Sequence, residues 1–360
     1  MNALIIKKKS VYIDPSVRIE YSSFYIKGLY NVFGKENVNF SRKYFKQLKR
    51  KIEPHSYDHY MAFVVVRKDE IKKYIIDFRD KRSVKESAYQ WCDKYAKINF
   101  SDILTDKCYH DKMLSIPPGF GIKIWGKYDM AFNCFNNFLK CNFAPIVTLK
   151  THLRDYYSQY KRPSLEEYTN DTIHIDNKTY VFMIGTLWTH KNCIEGNNLF
   201  RKIFVETCKS MNINFEGGFF SSLNHPQYEE YKNLIFTKPY PIREYIEKTK
   251  KSSFVFNTPA VHDCHGWKLG EYLAMGKAII SSPLSNKLPE NLVDGKNIHT
   301  ISNPNELKEG ISLLISDNSY RNKLENETKS YYLKYGSPKA VIEHLTGINT
   351  VTNLTKQKSN

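Results

Sequence analysis

Between His262 and Pro283 the chain reads HDCHGWKLGEYLAMGKAIISSP, a stretch rich in side chains that hold polar, charged ligands. Asp263 and Glu271 stand eight positions apart, with His265 and Lys268 between them. The carboxylates can accept hydrogen bonds from hydroxyl groups, and the first amides of a helix attract an anion. The surrounding pattern supplies such a helix. An apolar strand, Ser253–Asn257, leads into a polar loop. After Gly266 a short helix is expected from Trp267 to Met275, closed by Gly276, and a second apolar strand, Ala278–Ser281, follows. Strand, loop, helix and strand form a βαβ unit, whose helix N-terminus faces the crevice at the strand ends. A helix start flanked by two carboxylates is suited to a sugar nucleotide, with amides for the diphosphate and acids for the hydroxyls.

The same stretch resembles the donor signature of many retaining glycosyltransferases of the GT-B fold. That signature has an acidic residue, seven residues, a Glu, a small-residue helix and a Gly-Lys-Pro-Val-Val-like strand. Here Asp263, Glu271 and Tyr272-Leu273-Ala274-Met275-Gly276-Lys277-Ala278-Ile279-Ile280 fill those places, with Gly266 at the matching internal position. Asp263 replaces the usual first Glu, and Ala278 the usual Pro. A second match follows strand Thr179–Ile184, in the loop Gly185-Thr186-Leu187-Trp188-Thr189-His190-Lys191-Asn192. The family has a Gly-Arg-Leu loop there, followed by a Lys, and its Arg and Lys neutralise the donor diphosphate. Gly185, Leu187 and Lys191 match, whereas Thr186 stands where Arg is usual.

The resemblance implies site roles. Glu271 would hold donor ribose hydroxyls and Asp263 the sugar hydroxyls, with His265 as an alternative contact. Lys191 and the amides of Gly266, Trp267 and Lys268 would take the phosphates, with His190 or Lys268 replacing the missing cation. Tyr240, ahead of helix Ile242–Lys251, would stack on the base. In the first half, strand Lys73–Phe78 brings Asp77, Arg79 and Asp80 to its C-terminal edge, where α/β sheets place ligands, and Arg79 and Asp80 occupy the family's place for a polar residue facing the reacting sugar. His55, Asp58 and His59 precede strand Met61–Val66 and are expected at the opposite edge. No metal and no cofactor are implied; the donor is UDP- or GDP-linked.

Length and composition set the frame. A chain of 360 residues exceeds one ordinary core. Seven cysteines without a CxxC pair argue against a metal cluster or a disulfide framework. No apolar run is long enough to span a bilayer, so a cytoplasmic place is expected. The formal charge of +17 calls for an anionic partner. The run Arg42–Lys51, with Tyr44, Phe45 and Leu48 at helical spacing among cations, is expected to touch an anionic membrane surface; no nucleic-acid-binding signature accompanies it.

Strands alternating with helices argue for parallel α/β sheets. Ser83–Tyr95 is expected to be one helix with a Ser83–Glu86 capping box. Together with the resemblance, the expected architecture is two Rossmann-like domains (GT-B) facing each other across a crevice. Residues 1–170 form an acceptor-binding domain with a helical linker, 171–336 a donor domain, 337–346 a helix crossing back and 347–360 a tail. The implied activity is sugar transfer to a hydroxyl of a glycan or lipid-linked acceptor in lipopolysaccharide or capsule synthesis. The alternatives are a GT-B epimerase or phosphorylase, or a non-catalytic basic protein binding lipid or nucleic acid.

Overall fold

The computed structural model describes residues 9–48, 50, 59–68, 70–141, 148–170, 179–236 and 238–348. The chain divides into two compact units, residues 1–164 with 335–360, and residues 165–334. His55 and Asp58, most of the boundary expected at 170–177, and the tail from 349 onward lie outside the described residues.

The first unit carries a six-stranded sheet. In chain order its elements are β1 (Ser10–Ile13), α1 (Ile19–Phe33), β2 (Val38–Phe40), β3 (Tyr60–Arg67), β4 (Glu70–Asp77), α2 (Glu86–Trp91), β5 (Lys94–Lys97), β6 (Met113–Ser115), α3 (Lys127–Cys141) and α4 (Leu149–Lys161). The strand order is β2-β1-β3-β4-β5-β6. The sheet is mixed rather than parallel: β3 runs antiparallel to both β1 and β4. Residues 60–65 of β3 are buried, which accounts for its unbroken apolar run.

This hairpin reverses one expectation. Tyr60, the first residue of β3, pairs with Asp77, the last of β4. His59 therefore lies at the sheet edge that carries the C-terminal ends of β1 and β4, and its ring is 5.7 Å from Tyr21. The helix expected over Ser83–Tyr95 is also corrected. Only Glu86–Trp91 is helical, and its N-cap is Lys85 without a side-chain cap. Ser83 instead gives its carbonyl to Arg79, and Tyr95 and Lys97 are drawn into a strand by the buried carboxylate of Asp77.

Of the segment Arg42–Lys51, residues 42–48 and 50 are described, and they do not form a lipid-facing helix. Residues 42–47 are turns, and Phe45 and Leu48 point into the core with Trp91 and Tyr95. Tyr44 packs on Tyr12, and Arg50 pairs with buried Asp14 at 2.8 Å. The apolar side chains that would have entered a membrane are spent on the protein's own core.

The second unit is α/β with parallel strands. Its elements are α5 (Leu165–Thr169), β7 (Tyr180–Thr186), α6 (Asn198–Ser210), β8 (Asn214–Phe220), α7 (Tyr228–Tyr231), α8 (Ile242–Lys251), β9 (Val255–Asn257), α9 (Trp267–Ala274), β10 (Ile279–Ser281), β11 (His299–Thr300), α10 (Leu307–Ser316) and α11 (Asn318–Tyr331). β7 pairs with β8, and β10 lies between β9 and β11, all parallel. The Ser253 amide donates to the Tyr180 carbonyl at 2.7 Å, joining β9 to β7, and Ile235 bridges β8 on its far side. Counted along the chain, the order is 3-2-1-4-5-6, with its reversal between β7 and β9. Ligands bind at such a reversal, beyond the C-terminal strand ends. In β8, Gly217 and Gly218 adopt positive φ, and a Cβ on either would lie 2.1 Å from a carbonyl oxygen, so glycine is required at both.

α12 (Pro338–Thr346) closes the described chain within the first unit. Its Ser337 side chain caps it, and it lies against α1 at Gly28, where a Cβ would be 2.2 Å from the Pro338 oxygen.

Candidate functional site

At the β7–β9 reversal the local order of elements brings two loops together. Strand β7 ends at Thr186, and the chain passes through Leu187–Asn192 before a turn of π-helix, Cys193–Asn197, starts α6. Strand β9 ends at Asn257 and runs through Thr258-Pro259-Ala260 into a short turn at Val261–Asp263. Asn192 ties the loops: its Nδ2 donates to the Ala260 carbonyl at 3.0 Å and to Asp263 Oδ1 at 2.8 Å. His190 Nδ1 hydrogen-bonds the Asn192 side-chain oxygen, and the His190 ring meets His262 edge-on at 4.2 Å.

His262 and Asp263 both adopt left-handed backbone conformations, with φ of 57° and 55°. Non-glycine residues hold such angles only where the surroundings fix them, often at functional sites. Here Asn286 Nδ2 donates to the Asp263 carbonyl at 2.9 Å, adding to the grip of Asn192 on the carboxylate. Asp263 is thus an oriented acid on a strained turn.

Lys191 is 83% exposed, with Nζ 3.8 Å from Glu195. Arg201, on the first turn of α6, lies under the loops. Its Nε donates to Thr258 Oγ1 at 2.7 Å, and its two terminal nitrogens approach the carbonyls of Thr186 and Pro259 at 3.4 and 3.3 Å. A Cβ on Gly185 would be 3.8 Å from that guanidinium. Arg201 therefore bridges the ends of β7 and β9, beside Thr186. Burial lowers its pKa, with no carboxylate among the opposing influences. Sequence reasoning missed it, although a signal was present. Arg201 falls on the buried stripe of α6, with Asn198, Phe204, Val205 and Cys208, where an amphipathic helix is otherwise apolar.

Helix α9 brings the second cation and the second acid. Gly266 is its N-cap and no side chain caps it, leaving Trp267 at the first helical position. Lys268 Nζ lies 4.7 Å from the centre of the Tyr245 ring. Burial lowers its pKa to about 8, Arg201 adds to the effect, and Glu271 opposes it. Glu271 is 5% exposed, and its Oε2 accepts a hydrogen bond from the Tyr245 hydroxyl at 2.7 Å. Burial and the adjacent Glu271 carboxylate raise the Tyr245 pKa well above its ordinary value, so it remains a donor. His265 is buried at the start of the same helix.

Other expected site residues lie apart. The Tyr240 hydroxyl donates to Glu216 at 3.2 Å, and the ring meets Phe182 and Phe236 edge-on at 5.2 and 5.3 Å. Glu216 also binds Tyr180 and Lys248. Tyr240 is part of that cluster, one ring removed from Tyr245 through Phe182. In the first unit Arg79 does not present its guanidinium to a ligand. It grips Asp77 with two bonds of 3.0 and 2.7 Å, and Lys97 and Tyr95 bind the same carboxylate at 2.8 and 2.7 Å. Burial opposes ionisation of Asp77, but Lys97 and Arg79 outweigh it and hold its pKa at about 2. Asp80 is exposed, and its charge acts on Tyr21. Among the described residues no group of three His, Cys, Asp or Glu side chains is placed to hold a metal ion.

No protein-family model matches the chain, and no curated protein matches it in sequence. Among solved structures it is similar to the C-terminal domain of a glycosyl transferase group 1 family protein, LpcC, from Francisella tularensis. The identity is 13% and the TM-score 0.33, over 48% of this chain and 92% of that one. It is similar to TarM at 12% identity and a TM-score of 0.40 over 71% of this chain, which spans 50% of TarM's length. A third is Anabaena HepE in complex with UDP and glucose, at 11% identity and a TM-score of 0.39, over 73% of this chain and 65% of that one.

Proposed function

We propose that the protein is a nucleotide-sugar-dependent glycosyltransferase of the GT-B kind. Its second unit binds a UDP- or GDP-linked donor, and the sugar passes to a hydroxyl of a glycan or lipid-linked acceptor. Retention of configuration and a role in cell-surface polysaccharide synthesis belong to the same proposal. The observation that carries it is the meeting of two half-buried cations, Arg201 and Lys268, with the buried acid Glu271 at the reversal of a parallel sheet.

A diphosphate leaving group gains most from fixed charges in a water-poor site, because they need no reorganisation as charge develops. Arg201 and Lys268 would supply those charges, joined by the amides at the start of α9. Glu271, held by Tyr245, would accept hydrogen bonds from the donor ribose, and Asp263, fixed by Asn192, would accept them from the sugar. His190 and His265 would line the sugar side. With two side-chain cations at the site, transfer needs no metal to neutralise the diphosphate. Arg201 also weakens the alternative of a non-catalytic basic protein, because it sets a cation beside Thr186, which stands where an Arg is usual.

Thermal-shift titration with UDP- and GDP-sugars, followed by an assay of free UDP or GDP, tests the proposal. A stabilising nucleotide sugar whose cleavage depends on an added acceptor, with both effects lost in Glu271→Ala, supports it. Nucleotide release without an acceptor, or nucleotide binding that survives Glu271→Ala, would overturn it.

A further inference from the structure

Helices α3 and α4 of the first unit expose an apolar surface that no motif explains. On α3 the side chains of Tyr128, Phe132, Phe135 and Leu139 are 87%, 69%, 65% and 49% exposed. Their spacing of four, three and four residues places them along one stripe. The helix packs by its other side, through Cys134, Asn137 and Cys141. On α4, Leu149, Leu153 and Tyr157 are 51%, 51% and 55% exposed, while His152, Asp155, Tyr156 and Gln159 face inward. The helices pack on each other. Asn137 Nδ2 donates to the Tyr156 hydroxyl at 2.7 Å, and a His152 ring nitrogen lies 2.9 Å from the Cys134 carbonyl oxygen.

An amphipathic helix of a soluble domain turns its large apolar residues inward. Tyr156 apart, these two turn Cys, Asn, His, Asp and Gln inward, and they turn seven Tyr, Phe and Leu side chains outward. Seven large apolar side chains on neighbouring helices exceed the scattered exposure of an ordinary surface and mark a contact site. The charges on the same helices indicate the partner. Lys127, Lys140, Lys150, Arg154 and Lys161 are exposed, and the exposed carboxylate, Asp129, is paired with Lys35 at 2.7 Å. The whole chain is biased the same way, at +17.

We infer that this face seats on an anionic lipid surface. The aromatic and leucine side chains enter the boundary between headgroups and acyl chains, and Lys127, Lys150, Arg154 and Lys161 meet phosphate groups, while Lys140 donates to the Phe40 carbonyl at 2.9 Å. A second copy of the chain is a poorer occupant, since a two-fold contact through this face would set five cations against five. Among the described residues no helix is long and apolar enough to cross a membrane, so the contact is one of lying on the surface. The inference is independent of the donor assignment.

Vesicle co-sedimentation of the full chain tests it, with phosphatidylcholine alone and with phosphatidylglycerol added. Binding is expected only with the anionic lipid. The double variant Phe132→Asp and Phe135→Asp, both exposed positions, should reduce it to the level without lipid at an unchanged Tm. Because each cation at an anionic surface contributes roughly fivefold in partition, Lys150→Ala with Arg154→Ala should weaken binding about thirtyfold. Equal binding to both vesicle types, or binding unaffected by either double variant, would overturn the inference. So would a dimer in light scattering that the Phe132 and Phe135 substitutions dissociate.

Discussion

Replacing Arg201 with Gln separates the charge of the proposed diphosphate site from its shape. The guanidinium makes one short hydrogen bond, 2.7 Å to Thr258, and two long ones to carbonyls at 3.4 and 3.3 Å. A Gln retains a neutral donor for the same region, so folding should lose only about 1 kcal/mol. Nucleotide binding should lose more, because removing one partner of a desolvated charge pair costs about 2–5 kcal/mol. Lys268 remains beside the phosphates, which places the effect in the lower part of that range. At about 1.4 kcal/mol per tenfold, UDP or GDP affinity should fall roughly thirty- to three-hundredfold in calorimetric titration. Lys191→Ala is the control: its side chain is 83% exposed, and affinity should stay within about twofold. If Arg201→Gln still unfolds cooperatively and binds nucleotide as tightly as the parent, the diphosphate is held elsewhere and the reasoning fails.

Other consequences follow from the same geometry. Lys268 titrates at about 8, below its ordinary value. It is charged below that pH, so nucleotide affinity should weaken as pH rises through 8. Between 8 and the ordinary lysine range the unfolded chain binds more protons at this residue, so its contribution to stability without ligand should rise with pH; a Lys268→Met variant that keeps the same pH profile of affinity would contradict the first, and one that keeps the same pH profile of stability the second. Asp77→Asn leaves Lys97 buried without its carboxylate and should cost about 3–5 kcal/mol in urea unfolding, whereas a cost below about 1 kcal/mol would mean that the cluster is not a structural anchor. Gly28→Ala sets a methyl 2.2 Å from the Pro338 oxygen and should destabilise the first unit by about 1–3 kcal/mol through overpacking; an unchanged thermal midpoint would show that α12 shifts freely on α1.

Much of the second unit was legible because its strands are short apolar runs punctuated by turn residues, and parallel sheets impose that pattern locally. Asp263, Gly266, Lys268 and Glu271 lie in one contiguous stretch, and its resemblance to the donor signature, rather than spacing by itself, grouped them. Arg201 was not found because it reaches the loops from α6, more than fifty residues before the motif, and nothing in its local sequence sets it beside Thr258. The first unit was read less well for a related reason. The β3–β4 hairpin reverses one strand, and the apolar run of β3 carries no sign of its direction. The short α2 and the strand after it are set by Asp77, which gathers Tyr95, Lys97 and Arg79 from different elements. Such a buried charge cluster overrides the capping signal at Ser83. In the same way, a basic run with aromatic spacing looks alike whether its rings face lipid or, as Phe45 does, the protein core.

The central claim is that a nucleoside diphosphate binds at the β7–β9 reversal through Arg201, Lys268 and Glu271. Hydrogen exchange of the full chain with and without UDP or GDP measures this most directly. The account predicts slowed exchange confined to residues 185–192, 201–203 and 258–272, lost in Glu271→Ala. Ligand-induced protection that leaves those segments unchanged and appears elsewhere in the chain would contradict it.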